Sequence, residues 1–316
     1  MKTFADKLLD AIDAKQNISC VGLDPDIQKI PPFLKDEAIA LFGDTFEAVG
    51  HAFTQFNKEI IDNIADLVAV VKPQMAFYEK YMVPGIIAFK ATVDYARSRG
   101  LLVIEDAKRN DIKNTAKQYS DGHIGLVELC SGKKVPAFNV DALTVNGYLG
   151  TDGVAPFVED VKAYQKGIFV LDKTSNPSSG ELQDLVLEES KLMVSERMAQ
   201  MIDKWGEGTE GERGYKSVGA VVGVTYGKDG AVFRKWMPKS IMLMPGYGSQ
   251  GGAAKDVIPC LNPDGYGAIV NNSSGINYVW IKDKMPEDFG ARAGIATEKM
   301  KVDINAALKE AGLLKW

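Results

Sequence analysis

Eight short apolar or β-rich runs, each separated from the next by a stretch with helical periodicity, constrain the fold of this chain more than any other feature. They are Ile18–Leu23, Leu67–Lys72, Leu101–Lys108, Ala142–Val145, Gly167–Asp172, Val218–Val224, Ser240–Met244 and Ala268–Asn271. Side chains alternate across a strand and recur every 3.6 residues on a helix, so this alternation of runs describes β-strands joined by helical crossovers and hence a parallel sheet. Eight such units in 316 residues fit a (β/α)8 TIM barrel better than an open doubly wound sheet, although one run more or fewer would shift that balance. No linker, repeat or low-complexity segment divides the chain, and the reading is one single-domain α/β barrel over residues 1–316.

Composition narrows the partners. A net charge of -5 offers no broad basic surface, which argues against nucleic acid; a small anion needs only a local positive site. Cys20, Cys130 and Cys260 are far apart and odd in number, so they read as buried free thiols rather than disulfides or a zinc motif. His51 and His123 lie in helical connections without a carboxylate or cysteine at ligand spacing, and no metal is expected. Near the start, Phe4, Leu8, Leu9 and Ile12 are spaced as one helix face between charges, unlike the apolar core of a signal peptide. No run approaches the ~18 apolar residues of a membrane span. A cytoplasmic protein follows.

Polar residues collect just after the eight runs, the end at which barrels of this class build their sites. Asp24 follows the first, Lys72 closes the second, Asp106, Lys108 and Asp111 mark the third, and Asn146 follows the fourth. Lys173-Thr174-Ser175-Asn176 follows the fifth. After the seventh and eighth come Gly246-Tyr247-Gly248-Ser249-Gln250-Gly251-Gly252 and Asn271-Asn272-Ser273-Ser274-Gly275, loops whose small residues let backbone N–H groups approach an anion.

The densest cluster is Asp106-Ala107-Lys108-Arg109-Asn110-Asp111, two carboxylates around one lysine where a strand gives way to a helix. Strand alternation points Asp106 and Lys108 the same way, while Asp111 falls where an N-cap would stand, with Asn114 and Thr115 in the first helical turn. Singly, each feature has a plainer reading. Asp111 is then only a cap, Lys72 a strand-end lysine with a solvated head, and Asp24-Pro25 a turn. Trp236-Met237-Pro238 and Met242-Leu243-Met244 read as a helix end and a buried strand, Glu207 to Lys216 as a solvated loop, and Phe46–Ile64 as an exterior helix.

Five motifs in order carry a resemblance. They are Val21-Gly22-Leu23-Asp24-Pro25-Asp26, Lys72-Pro73-Gln74, Asp106 through Ile112, Lys173-Thr174-Ser175-Asn176-Pro177 and Pro245 through Gly252. Over nearly its whole length the chain resembles the orotidine 5'-phosphate decarboxylases of the longer bacterial type. The resemblance implies a homodimeric barrel that converts orotidine 5'-phosphate to uridine 5'-phosphate and carbon dioxide without metal or organic cofactor. It also implies a charged tetrad of Lys72, Asp106, Lys108 and Asp111, with Lys108 as general acid. Asp111, Ile112 and Thr115 would reach the neighbouring subunit's site, and Asp24 and Lys72 would hold the ribose. Thr174 and Ser175 fall to the pyrimidine side, Asn146 to substrate binding, and Gly246, Gln250, Gly251 and Ser274 to the phosphate loops.

One position departs from the pattern. Where the family reads Ser-Arg-Gly, with the arginine on the phosphate, this chain has Ser273-Ser274-Gly275. Losing that charge-assisted contact costs about 1.5–3 kcal/mol, a factor of roughly ten or more in binding, unless a cation such as Lys282 or Arg292 replaces it. Two other functions stay open: a magnesium-dependent phosphosugar decarboxylase or aldolase with the same Asp-x-Lys-x-x-Asp signature, and a catalytically silent nucleotide-binding barrel. The former places a carboxylate, not Lys72, at the end of its second strand.

Overall fold

The computed structural model describes residues 1–224, 229–248 and 251–316. Every one of the eight runs becomes a strand: β1 Ser19–Leu23, β2 Val70–Pro73, β3 Leu102–Arg109, β4 Ala142–Val145, β5 Gly167–Leu171, β6 Lys216–Val221, β7 Ser240–Pro245 and β8 Ala268–Asn272. They close into one parallel barrel in which β1 lies between β2 and β8. Ser19 pairs with Val270 and Val21 with Asn272 across the closing seam.

Burial on both faces explains why the runs are continuously apolar rather than alternating. All residues of β1, β2, β4, β6 and β8 are buried. Helices cover the outside. The helix Phe46–Ile64 has the bounds that periodicity gave it, starts where the Thr45 hydroxyl accepts from the Ala48 N–H, and buries Phe53, Phe56, Ile60, Ile61 and Ile64. Each fully buried side chain of this size contributes about 1.5–3 kcal/mol. The first helix, Phe4–Lys15, covers one end of the barrel: the Phe4 ring meets Phe169 of β5 edge-on at 6.0 Å, and the Ala5 N–H donates to Ser217 of β6 at 3.2 Å.

Three expectations change. Between β7 and β8 the described residues form only short 3-10 turns, Ala254–Asp256 and Ile258–Cys260, so this unit lacks a full crossover helix. β6 begins at Lys216, which the sequence placed in a solvated loop; its ammonium is buried against the Asp203 carboxylate at 2.7 Å. Cys20 and Cys260 are buried, whereas Cys130 is exposed between the two short strands Val127–Glu128 and Lys134–Val135. Among the described residues no helix is long and apolar enough to cross a membrane.

Candidate active site

Neighbouring strands carry the charges together. Gly22 of β1 is in register with Lys72 of β2, and Gln74, just after β2, bridges to Asp106 of β3. Asp106 then sits between two ammonium groups, with Lys72 Nζ 2.7 Å from Oδ2 and Lys108 Nζ 2.6 Å from Oδ1. The two lysines differ in freedom. The Lys72 side chain is 5% exposed and that of Lys108 is 45% exposed, so the first is fixed while the second reaches open space.

Simple alternation does not deliver Lys108 to that place. The β3–β4 register shifts between Glu105 and Arg109, and Lys108 adopts a left-handed backbone at φ 49°. For a residue other than glycine this conformation is uncommon and costs of order 1–3 kcal/mol. Thr144 of β4 holds the distortion: its hydroxyl accepts from the Lys108 N–H at 3.0 Å and donates to Asp106 Oδ1 at 2.9 Å. Thr144 was missed in the sequence, where its signal was one hydroxyl in an otherwise apolar strand.

Charge pairing sets the protonation states. Burial alone would lift the Asp106 carboxyl, but Lys72 and Lys108 outweigh it and hold the group well below the usual carboxylate range. Burial would likewise lower the Lys72 ammonium, and the Asp106 and Asp24 carboxylates reverse that, holding it above its ordinary value. Asp24 differs, because burial pushes its carboxyl up further than Lys72 and a hydrogen bond from Ser273 pull it down. One of its oxygens is buried without a partner. Ser273 comes this close to β1 because position 22 is glycine; a Cβ there would meet the serine oxygen at 1.9 Å.

Two cavities meet at this cluster. The larger, about 520 Å³, is lined by Lys72, Asp106, Lys108, Asn146, Thr174 and Ser175 and by apolar walls from Leu171, Met198, Val221 and Leu243. The smaller, about 350 Å³, is lined by Asp24, Lys29, Gly246, Ser273, Ser274 and Tyr278. Lys72, Asp106 and Pro245 line both. An apolar-walled slot thus opens beside a polar compartment, a shape suited to a flat ring carrying a hydrophilic substituent.

The remaining expected residues divide. Asp111 does not cap the following helix: Lys113–His123 starts after Ile112, which makes no side-chain cap, and Asp111 Oδ1 instead accepts from the Ile112 N–H at 2.8 Å. The cause is local, since Lys113, the first residue of that helix, has a left-handed backbone at φ 50°. Within one chain, therefore, Asp106 is flanked by two lysines rather than Lys108 by two carboxylates, and Asp111, Ile112 and Thr115 line neither cavity. Ile112 is 43% exposed. Gly251 turns back onto Gly248 at φ 87° without lining either cavity, and Gln250 lies outside the described residues.

Neither Lys282 nor Arg292 lines the polar cavity; Arg292 is 3.6 Å from Asp283. Among the described residues the cation that does, besides Lys72, is Lys29, from the 3-10 turn after β1, stacked 5.2 Å from the Tyr278 ring and 3.2 Å from Asp26. Among the described residues no group of three or more His, Cys, Asp or Glu side chains could hold a metal ion.

Known proteins share this plan. Residues 20–267 match the model of the orotidine 5'-phosphate decarboxylase / HUMPS family. An orotidine 5'-phosphate decarboxylase of Caldicellulosiruptor saccharolyticus is 37% identical over 308 residues, covering 98% of this chain and 100% of the relative. One from Rhodopirellula baltica is 43% identical over 276 residues, covering 87% and 88%. Among solved structures, a putative orotidine-monophosphate decarboxylase of Toxoplasma gondii superposes with a TM-score of 0.76 at 27% identity, covering 96% of this chain and 97% of that one. A putative orotidine 5'-phosphate decarboxylase of Streptomyces avermitilis gives 0.74 at 28% identity, covering 98% and 97%.

Proposed function

The chain belongs to the orotidine 5'-phosphate decarboxylase / HUMPS family and converts orotidine 5'-phosphate to uridine 5'-phosphate and carbon dioxide in pyrimidine biosynthesis; we propose that it does so through a C6 carbanion that Lys108 protonates. The bond from C6 to the carboxylate breaks, its electron pair stays on C6, carbon dioxide leaves, and Lys108 Nζ delivers a proton to C6. That pair has no carbonyl in conjugation to receive it, so the surroundings must stabilise it. The Lys108 ammonium, already in place in the larger cavity against Asp106, meets that need and is also the proton donor. The observation that carries this reading is the Lys108–Asp106–Lys72 chain, 2.6 and 2.7 Å at its two links, which lines the slot and through Asp106 and Lys72 also lines the polar compartment.

The same reading distributes the rest of the substrate. The pyrimidine occupies the apolar-walled slot, with Asn146, Thr174 and Ser175 along it. Asp24 and Lys72 hold the ribose, and the unpartnered Asp24 oxygen suits a ribose hydroxyl. The phosphate lies against Gly246 and Ser274 of the polar compartment, where Lys29 supplies the positive charge that Ser274 does not; Gln250 and Gly251 join the phosphate loop on the strength of the family resemblance alone. Asp111, Ile112 and Thr115 serve the neighbouring site of a homodimer, for which the 43% exposure of Ile112 speaks. Residues 1–316 then act as one catalytic domain, in the cytoplasm, without metal or organic cofactor.

The test is the fall in ultraviolet absorbance when chelator-treated protein meets orotidine 5'-phosphate. Turnover at the same rate with and without chelator is the expected result. Activity abolished by chelation would transfer the chain to the magnesium-dependent reading, and nucleotide binding without release of carbon dioxide to the silent one.

A further inference from the structure

Behind the site, on the face of β3 turned toward the helices, lies a buried pair of titratable groups that the mechanism does not use. Neighbouring strand residues point to opposite faces, so Asp106 in the cavities sends Glu105 to the outer side. There the Glu105 carboxylate is 2.7 Å from Nδ1 of His123, the last residue of the helix Lys113–His123, and both side chains are buried. Arg109 reaches the same ring from the other direction, its Nε 3.3 Å from His123 Nε2. A guanidinium N–H can only donate, so Nε2 accepts and the ring proton belongs on Nδ1, facing Glu105. Phe138 stacks on the imidazole at 5.0 Å and 15° and fixes its plane.

Glu105 and Arg109 are also the two residues between which β3 slips against β4. Glu105 pairs with Leu143 and Arg109 with Val145, so four steps along β3 span two along β4. The slack between them contains Asp106 and the left-handed Lys108. Thr144 grips that slack from inside the barrel. The imidazole joins its two ends from outside.

We propose that His123 is a positioning residue for the proton donor: by linking Glu105 to Arg109 it clasps the distorted segment of β3 in the conformation that aims Lys108 into the larger cavity. This deepens the decarboxylase reading and rests on it. A left-handed, out-of-register segment persists only where its surroundings over-determine it, and the Thr144 hydroxyl alone would leave both ends free to relax toward regular pairing. Lys108 directly precedes Arg109, so any slide of Arg109 would turn the lysine with it. The Asn146 N–H donates to Arg109 O at 3.0 Å, which ties the start of the loop after β4 to the same clasp. Substrate affinity has another source. Lys29, Gly246, Ser273 and Ser274 of the polar compartment follow β1, β7 and β8, away from the clasp. A loosened clasp should therefore cost turnover rather than affinity, because proton delivery suffers from a displacement of about 1 Å.

The experiment measures kcat for orotidine 5'-phosphate, calorimetric affinity for uridine 5'-phosphate and thermal melting in wild type and four variants. Arg109→Met opens the outer end of the clasp and leaves the Glu105–His123 pair in place; kcat is expected to fall about tenfold or more, with nucleotide affinity within about twofold. His123→Leu removes both links and should lose at least as much kcat. His123→Gln offers an N–H to Glu105 and an oxygen to Arg109, and should keep kcat within about threefold of wild type. Glu79→Gln is the control, because Arg109 also lies 3.4 Å from the Glu79 carboxylate, and its kcat should stay within about twofold. A lowered melting temperature in Arg109→Met with unaltered kcat would make the clasp purely structural and overturn the proposal. Equal losses of kcat and nucleotide affinity would overturn it too, as would a His123→Gln as impaired as Arg109→Met. If His123→Leu does not fold, Arg109→Met and His123→Gln still decide. Active wild-type enzyme with unaffected variants sinks this inference alone; inactive wild type sinks the decarboxylase reading and this with it.

Discussion

Replacing Asp106 by asparagine should damage stability and turnover together, and the geometry sets the scale. Oδ1 accepts from Lys108 at 2.6 Å and Thr144 at 2.9 Å, and Oδ2 from Lys72 at 2.7 Å. An asparagine has one oxygen, so its NH2 must face an ammonium or hydroxyl donor whichever way it turns. The Lys72 ammonium then keeps its desolvation and loses its nearest counter-charge. Breaking a buried pair from one side costs about 3–5 kcal/mol. For a chain of 316 residues, unfolding entropy of about 0.7 kcal/mol/K converts this to a melting temperature lowered by about 4–8 °C. Removing a charge that preorganises the proton donor should lower kcat at least a hundredfold.

The pH dependence gives a second signature. Because the folded-state pKa of Asp106 is depressed, its contribution is complete above the ordinary carboxylate value and fades as pH falls toward the folded one. The stability gap between wild type and Asp106→Asn, measured by urea unfolding, should therefore shrink by about 1 kcal/mol between pH 7 and pH 3. A gap below about 1 kcal/mol at neutral pH, or one equally large at pH 3, would refute the clamp as drawn.

Lys108→Ala should melt near wild type, since its side chain is half exposed, while kcat falls by about 10²–10⁴; near-normal turnover would eliminate the proposed acid. Mixing Lys108→Ala with Asp111→Ala subunits and letting dimers exchange should restore roughly a quarter of wild-type activity, because each mixed dimer regains one intact site. No restoration would leave Asp111 outside the partner's chemistry. Ser274→Arg should tighten uridine 5'-phosphate about tenfold but leave uridine unchanged, and an equal effect on both would detach this loop from the phosphate.

The barrel was legible because burial on both faces writes each strand as an apolar run, and the run Ala142–Val145 even has the bounds of β4. β6 was placed late because its first residue is a lysine whose charge is neutralised by Asp203, a partner 13 positions away that hydropathy does not register. Asp24, Lys72, Asp106 and Lys108 stood out through their positions at strand ends. Their pairing did not, because the register shift in β3 and the left-handed turn at Lys108 depend on Thr144 of the next strand. Lys29 passed as one lysine among many, since only the folded chain brings it to a cavity wall.

Closing β1 against β8 has a consequence for how the molecule is made. At about 5–20 residues/s a ribosome takes roughly 12–50 s to travel from Leu23 to Ala268. Throughout that interval the edge of β1 that will pair with β8 has no partner, while Lys72, Asp106 and Lys108 have already been synthesised. The ion-pair half of the pocket therefore predates the half that includes Ser273 and Ser274, and no ligand spanning both can stabilise the nascent chain by mass action until the last strand arrives. Protection of that open edge falls to the cell's chaperones rather than to substrate, and a ribosome stalled short of β8 leaves an aggregation-prone sheet instead of a weaker enzyme.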